Sequence, residues 1–153
     1  MFMLSMDDKP RFRYLEHTAD VYYEAYGQSF KDAFNNAVLG LLDTVTGGQA
    51  GKLRPKEIIK EIEGSAVNLE ELVVYTLSDI LTLMDTEEIV FYDSEILDYK
   101  TDRESEDSKF HVKVRLYGNK DRPKESVKAV TFHMLKIYED KNKVWHIKVL
   151  LDV

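Results

Sequence analysis

The residues equipped for chemistry are few. His17-Thr18-Ala19-Asp20 fills a short polar break between two strand-like runs, Phe12 to Glu16 and Val21 to Tyr26. Such a break can present side chains without burying unpaired backbone, so functional groups collect there. His17 has the chemistry of a ligand or proton carrier, and Asp20 that of an oxygen ligand. The plainer reading is a connection whose Thr18 and Asp20 satisfy local backbone groups. A second candidate lies at the far end, where Asp152 alternates off the apolar face of Trp145, Ile147, Val149 and Leu151 and precedes Val153. Hard cations such as calcium and magnesium take carboxylate and carbonyl oxygens. Asp20, Asp152 and the terminal oxygens of Val153 form such a set if the last strand ends beside the HTAD break. Spacing alone favours a solvated terminal aspartate.

The third candidate is the strand VKAVTFHML. Alternation puts Lys128, Val130, Phe132 and Met134 on one face and Ala129, Thr131, His133 and Leu135 on the other. Lys128 and His133 therefore cannot both line one site unless the strand is bulged or ends at a sheet edge. The remaining motif searches are negative. GGQAGK lacks the first Gly and the terminal Ser/Thr of a phosphate-binding loop, and neither a nucleophile elbow nor an HExxH helix occurs. The chain offers no complete catalytic set.

The elements that must position these groups follow from periodicity. Ser29 to Thr46 predicts a helix with Phe30, Ala33, Phe34, Ala37, Val38, Leu41, Leu42 and Val45 on its core face. Ser29 suits its N-cap and Gly47-Gly48 its end. Asn68 to Met84 predicts a second helix, with Asn68 as cap and Glu71 three residues on. Lys56 to Glu63 alternates as a strand, with Ile59 interrupting the pattern. Ile89 to Thr101 reads as one extended stretch kinked at Asp93-Ser94, and Asp102 to Lys109 as a solvated hairpin loop. Phe110 to Tyr117 is a further strand and Gly118 to Lys124 a polar loop. Val127 to Ile137 and Val144 to Val153 are strands joined through Glu139 to Lys143. The fold class is α+β, a mainly antiparallel sheet with two packed amphipathic helices.

Bulk properties bound the rest. The 153 residues fit a single domain over 12–153, with MFMLSMDDKP read as a frayed start in which Met3 and Met6 are alternative initiators. That start does not resemble a signal peptide, no apolar run reaches the roughly 20 residues of a membrane span, and cysteine is absent. A cytoplasmic protein without membrane contact is expected. Its 28 acidic against 21 basic residues repel phosphate backbones unless the basic ones gather on one face.

YLEHTADVYYEAYGQSFKDAFNNAVLGLLDTVT, LEELVVYTLSDILTLMDTEEIVF, VKAVTFHMLKI and a closing LLDV after Trp145 together resemble the archease family, in order and over nearly the whole chain. HTAD with its following EAYG and helix, KAVTFH and the terminal Asp-Val carry that specificity jointly. The resemblance implies a small α+β protein, not itself an enzyme, that assists the RtcB-type RNA ligase of tRNA splicing. It would promote transfer of guanylate from GTP onto the ligase's active-site His and sustain turnover, meeting tRNA through the ligase. It also implies a divalent cation, calcium foremost, held by Asp20 and Asp152 with the Val153 carbonyl as third ligand. Lys128 becomes a further functional position, and His17 a hydrogen-bonding support. Tyr22 departs from the family, which usually has a small residue there. Two other classes compete. One is a metal-dependent phosphoester hydrolase with Asp20 and Asp152 as ligands and His17 or His133 as base. The other is a chaperone-like or RNA-binding module, which the net charge of −7 disfavours.

Overall fold

Alternating and 3.6-periodic segments sort into seven strands and two helices in the computed structural model, which describes residues 11–16, 19–52 and 57–153. In chain order these are β1 (Phe12–Leu15), β2 (Val21–Gly27), α1 (Phe30–Thr46), β3 (Ile58–Ala66), α2 (Leu69–Glu87), β4 (Ile89–Thr101), β5 (Phe110–Lys120), β6 (Ala129–Glu139) and β7 (Trp145–Asp152). The expected frayed start, His17 and Lys56 lie outside the described residues. The strands form two antiparallel sheets, one ordered β1-β2-β7-β6 and the other β3-β5-β4. Both helices touch both sheets, α1 chiefly β2 and β4, α2 chiefly β6 and β3.

The helix ends follow local chemistry. Ser29 Oγ accepts the Asp32 N–H at 3.1 Å, and Asn68 Oδ1 accepts the Glu71 N–H at 2.8 Å, each satisfying an orphan donor of the first turn. Gly47, at φ 67°, closes α1 in the left-handed region. Glu88 does the same for α2 at φ 55°, so that helix runs one turn beyond Met84.

α1 departs from the one-sided stripe that its sequence predicts. Leu39, Gly40, Thr44 and Thr46 are buried as well, because a helix in contact with both sheets has little solvent side. Gly40 is required by this arrangement: the Tyr23 ring occupies the place of a Cβ, and its hydroxyl donates to the Ala37 carbonyl at 2.7 Å. β5 extends through Gly118 to Lys120, where the sequence suggested a loop. A side chain at Gly118 would meet the Val90 carbonyl, so glycine there lets β4 close onto β5. β4 stays continuous past Asp93-Ser94, with register slips between Phe91 and Asp93 and between Ile96 and Asp98.

The largest departure is in β6. From Thr131↔Leu150 to Lys136↔Lys148, β6 advances five residues while β7 advances two, leaving three extra residues in a bulge. An odd insertion inverts alternation. Val130 faces the core before it, Leu135 and Ile137 pack against the core after it, and Phe132 and Met134 are exposed instead of sharing the Val130 face. Met134 takes φ 58°, a conformation unfavourable for a residue with a side chain. Tyr22 holds it there. From β2 it reaches across β7 and donates its hydroxyl to the Met134 carbonyl at 2.7 Å. Burial raises the Tyr22 phenol, which keeps it a donor. The ring that departs from the family pattern is thus a strut for the bulge. Tyr22→Phe should lower unfolding free energy by about 1 kcal/mol in urea titration, since one half-buried hydrogen bond is lost. An unchanged midpoint would remove the strut from the account.

Candidate functional site

Sheet order turns two sequence-distant ends into neighbours. β7 lies between β2 and β6, with Val21 opposite Leu151 and Tyr22 opposite Leu150. Continuing that register places Asp20, in the bend just before β2, across from Asp152, the last residue of β7. On the other side Asp152 pairs with Ala129, and its carbonyl accepts the Lys128 N–H at 2.7 Å. Asp20, Lys128, Asp152 and Val153 therefore share one end of the four-stranded sheet. Lys128 contributes through its backbone there, and its side chain is exposed. His133 sits in the exposed bulge and makes no hydrogen bond among the described residues. The bulge removes the parity argument that set Lys128 and His133 on opposite faces.

Asp20 is half-buried and Asp152 exposed. Their donor chemistry, carboxylate oxygens with the backbone oxygens of Val153 alongside, suits a hard cation. Among the described residues no three of His, Asp and Glu converge on one point. Beside them a cleft of about 400 Å³ is lined by Tyr14, Val21, Asp43, Gly47, Gly48 and Lys124. Asp43 sits in the last turn of α1, where a carboxylate opposes the helix dipole. It is offset by the Tyr14 hydroxyl at 2.7 Å and the Ala50 N–H at 3.3 Å.

The outward face of this sheet reads as a grid of rows running across the strands. Next to the aspartate end come Leu15, Tyr22, Leu150 and Thr131. Then follow Arg13, Glu24, Lys148 and Lys136, and after them Tyr26, His146 and Tyr138. Glu24, only 3% exposed, is the hub. It accepts from Arg13 Nη2 at 3.0 Å, Tyr26 Oη at 2.8 Å and His146 Nδ1 at 2.9 Å. His146 Nε2 faces Asp140 Oδ2 at 2.7 Å, so the full set of bonds needs a hydrogen on both ring nitrogens. Tyr138 stacks on His146 at 4.6 Å with planes 7° apart, and Tyr26 meets the same ring edge-on at 5.3 Å. Sequence reading passed over this network because its members come from four strands. The available signal was the polar alternation of Tyr22, Glu24, Tyr26 against that of His146, Lys148.

Burial raises the Glu24 carboxyl, but hydrogen bonds from Tyr26, His146 and Arg13 outweigh it and hold the group below its ordinary value of 4.5. Asp140 is held below 3.8, first by His146 and then by the Val144 N–H.

An α+β domain of two antiparallel sheets and two helices, with an aspartate pair at one sheet end, is thus defined by its own geometry. The family profile described as "Archease protein family (MTH1598/TM1083)" matches residues 12–153. The chain is 32% identical over 148 residues to the protein archease of Pyrococcus abyssi, covering 94% of this chain and 99% of that one. With its Pyrococcus furiosus counterpart it is 33% identical over 149 residues, at the same coverage. The solution structure of Methanobacterium thermoautotrophicum protein 1598 superposes with TM-score 0.72 at 25% identity, covering 94% of this chain and 99% of that one. The crystal structure of an archease, possible chaperone, from Thermotoga maritima gives TM-score 0.56 at 26% identity, covering 91% and 94%. The chain belongs to the archease family.

Depressed carboxyls stabilise the fold above their unfolded pKa values, and that contribution disappears as pH falls through the folded ones. The melting temperature should therefore hold down to about pH 5 and drop below about pH 4.5 as Glu24 and Asp140 protonate. Glu24→Gln should melt lower at neutral pH and lose less on acidification. An acid limb identical to wild type would contradict the assignment.

Proposed function

We propose that this protein is a metal-binding accessory factor of an RtcB-type RNA ligase in tRNA splicing, promoting guanylylation of the ligase by GTP and its repeated turnover. The observation that supports this most is the register that sets Asp20 across from Asp152. A sheet end of this kind can hold a hard cation at an exposed edge, where a partner protein can approach. Asp20 and Asp152 would hold the ion, calcium foremost, with the Val153 oxygens as further ligands; bound there, it would supply a positive charge for oxygen groups of the partner. The residues of the chain itself do the positioning. The β2 and β6 ladders fix both sides of β7, and the Lys128 N–H engages the Asp152 carbonyl, leaving the carboxylate outward. No helix among the described residues is long and apolar enough to cross a membrane.

The test is GTP-dependent guanylylation of an RtcB-type ligase with and without the protein, under titrated calcium and magnesium. A faster reaction with wild type, lost in Asp20→Asn and Asp152→Asn while their melting temperatures stay within about 3 °C, is expected. No acceleration at any metal concentration would reject the reading. Activity loss proportional to unfolding would reduce the cation to a fastener. Turnover of phosphoester substrates by the protein alone, abolished in Asp152→Ala, would favour a hydrolase instead.

A further inference from the structure

The charge-bearing and aromatic rows of the outward sheet face have a use beyond holding the sheet together. We propose that they form a binding platform for single-stranded nucleic acid, separate from the aspartate end. Arg13, Lys136 and Lys148 lie in one row, and Lys141 and Lys143 stand at the β6–β7 turn beside the next. Away from Asp20 and Asp152 at the far end of the face, two carboxylates, Glu24 and Asp140, stand among these five cations, and both are engaged there: Glu24 by Arg13, Tyr26 and His146, Asp140 by His146 and the Asn142 and Val144 N–H groups. Glu139 pairs with Trp145 and alternates to the other side. A chain of net charge −7 thus gathers cations toward one end of a face, the condition under which that end can approach a phosphate backbone.

The rings favour a nucleic acid over an acidic peptide. Tyr26, His146 and Tyr138 form a continuous row of contacting rings, and β6 is the edge strand. One face of Tyr138 is stacked on His146, and the residue is 39% exposed. A base stacking on its outer side would extend the column, while Lys136 and Lys148 meet the flanking phosphates. Aromatic side chains on an exposed antiparallel sheet are a recurring base-stacking device, tolerant of sequence because every base has a π-face. An acidic peptide would use the lysines but has no need of the Tyr138 ring.

The probe is a fluorescein-labelled, mixed-sequence single-stranded RNA of about 12 nucleotides, added to the full chain without ligase or added metal and followed by anisotropy. Affinity should fall steeply between about 50 and 200 mM salt, as counterion release requires. Lys136→Glu with Lys148→Glu should weaken binding about tenfold or more, and so should Tyr138→Ala, while Tyr138→Phe keeps it. Melting curves control for folding. The proposal is overturned by absence of binding at low salt, by undiminished binding in the charge-reversed variant, or by a Tyr138→Ala variant that binds normally. Equal competition by polyglutamate would also overturn it, assigning the face to an acidic protein segment. Because ligase and metal are absent, failure here leaves the proposed accessory role standing.

Discussion

The ladder that seats β7 between β2 and β6 is the constraint on which the rest of this structure depends. Its β2–β7 half joins residues more than a hundred positions apart, and the whole ladder orders the outward face row by row. The loop-closure cost of such distant pairing is met by burial beneath it, where Tyr23, Ile147, Val149 and Leu151 are fully enclosed against α1 and the rest of the core. A one-residue slip would send every β7 side chain to the opposite face, burying Lys148 and exposing Val149. The same register that satisfies the core, continued one position beyond Val21 and Leu151, also sets Asp20 opposite Asp152. The placement of the candidate site is a consequence of packing.

Much of this was legible in the chain. Helix caps at Ser29 and Asn68, the αL glycine at position 47 and the alternation of β5 all express local rules, and local rules are visible in local sequence. The α+β class and the archease family followed from the same segments. What escaped was non-local. Nothing in VKAVTFHMLKI announces that three residues will leave the ladder, because the alternation looks unbroken until a partner strand is specified. Tyr22 read only as a departure from the family pattern for a related reason. Its function, holding the Met134 carbonyl from two strands away, exists only once the sheet order is known. Glu24 is similar: a lone acid on a strand gives no sign that three donors from three other side chains close on it.

The face divides its labour along the strand direction. At one end are carboxylates with the backbone oxygens of Val153 alongside, in the middle a buried charge hub, and at the other end stacked rings and lysines. The hub ties β1, β2 and β7 together through side chains, and through Asp140 it also fixes the β6–β7 turn. The hub lies between the two ends and ties together the strands that carry them. That separation also explains how an acidic chain can present both an anionic and a cationic surface on one sheet.

The central claim, that the chain's two distant aspartates form one cation site, is tested most directly by calorimetric titration of calcium into the metal-stripped protein, wild type beside Asp20→Asn, Asp152→Asn and the double variant. The account predicts one saturable site in wild type. Each single substitution should weaken it strongly, and the double variant should be little worse than either single, since the two residues act on one ion. Additive losses at two independent sites, or calcium binding indifferent to both substitutions, would contradict it.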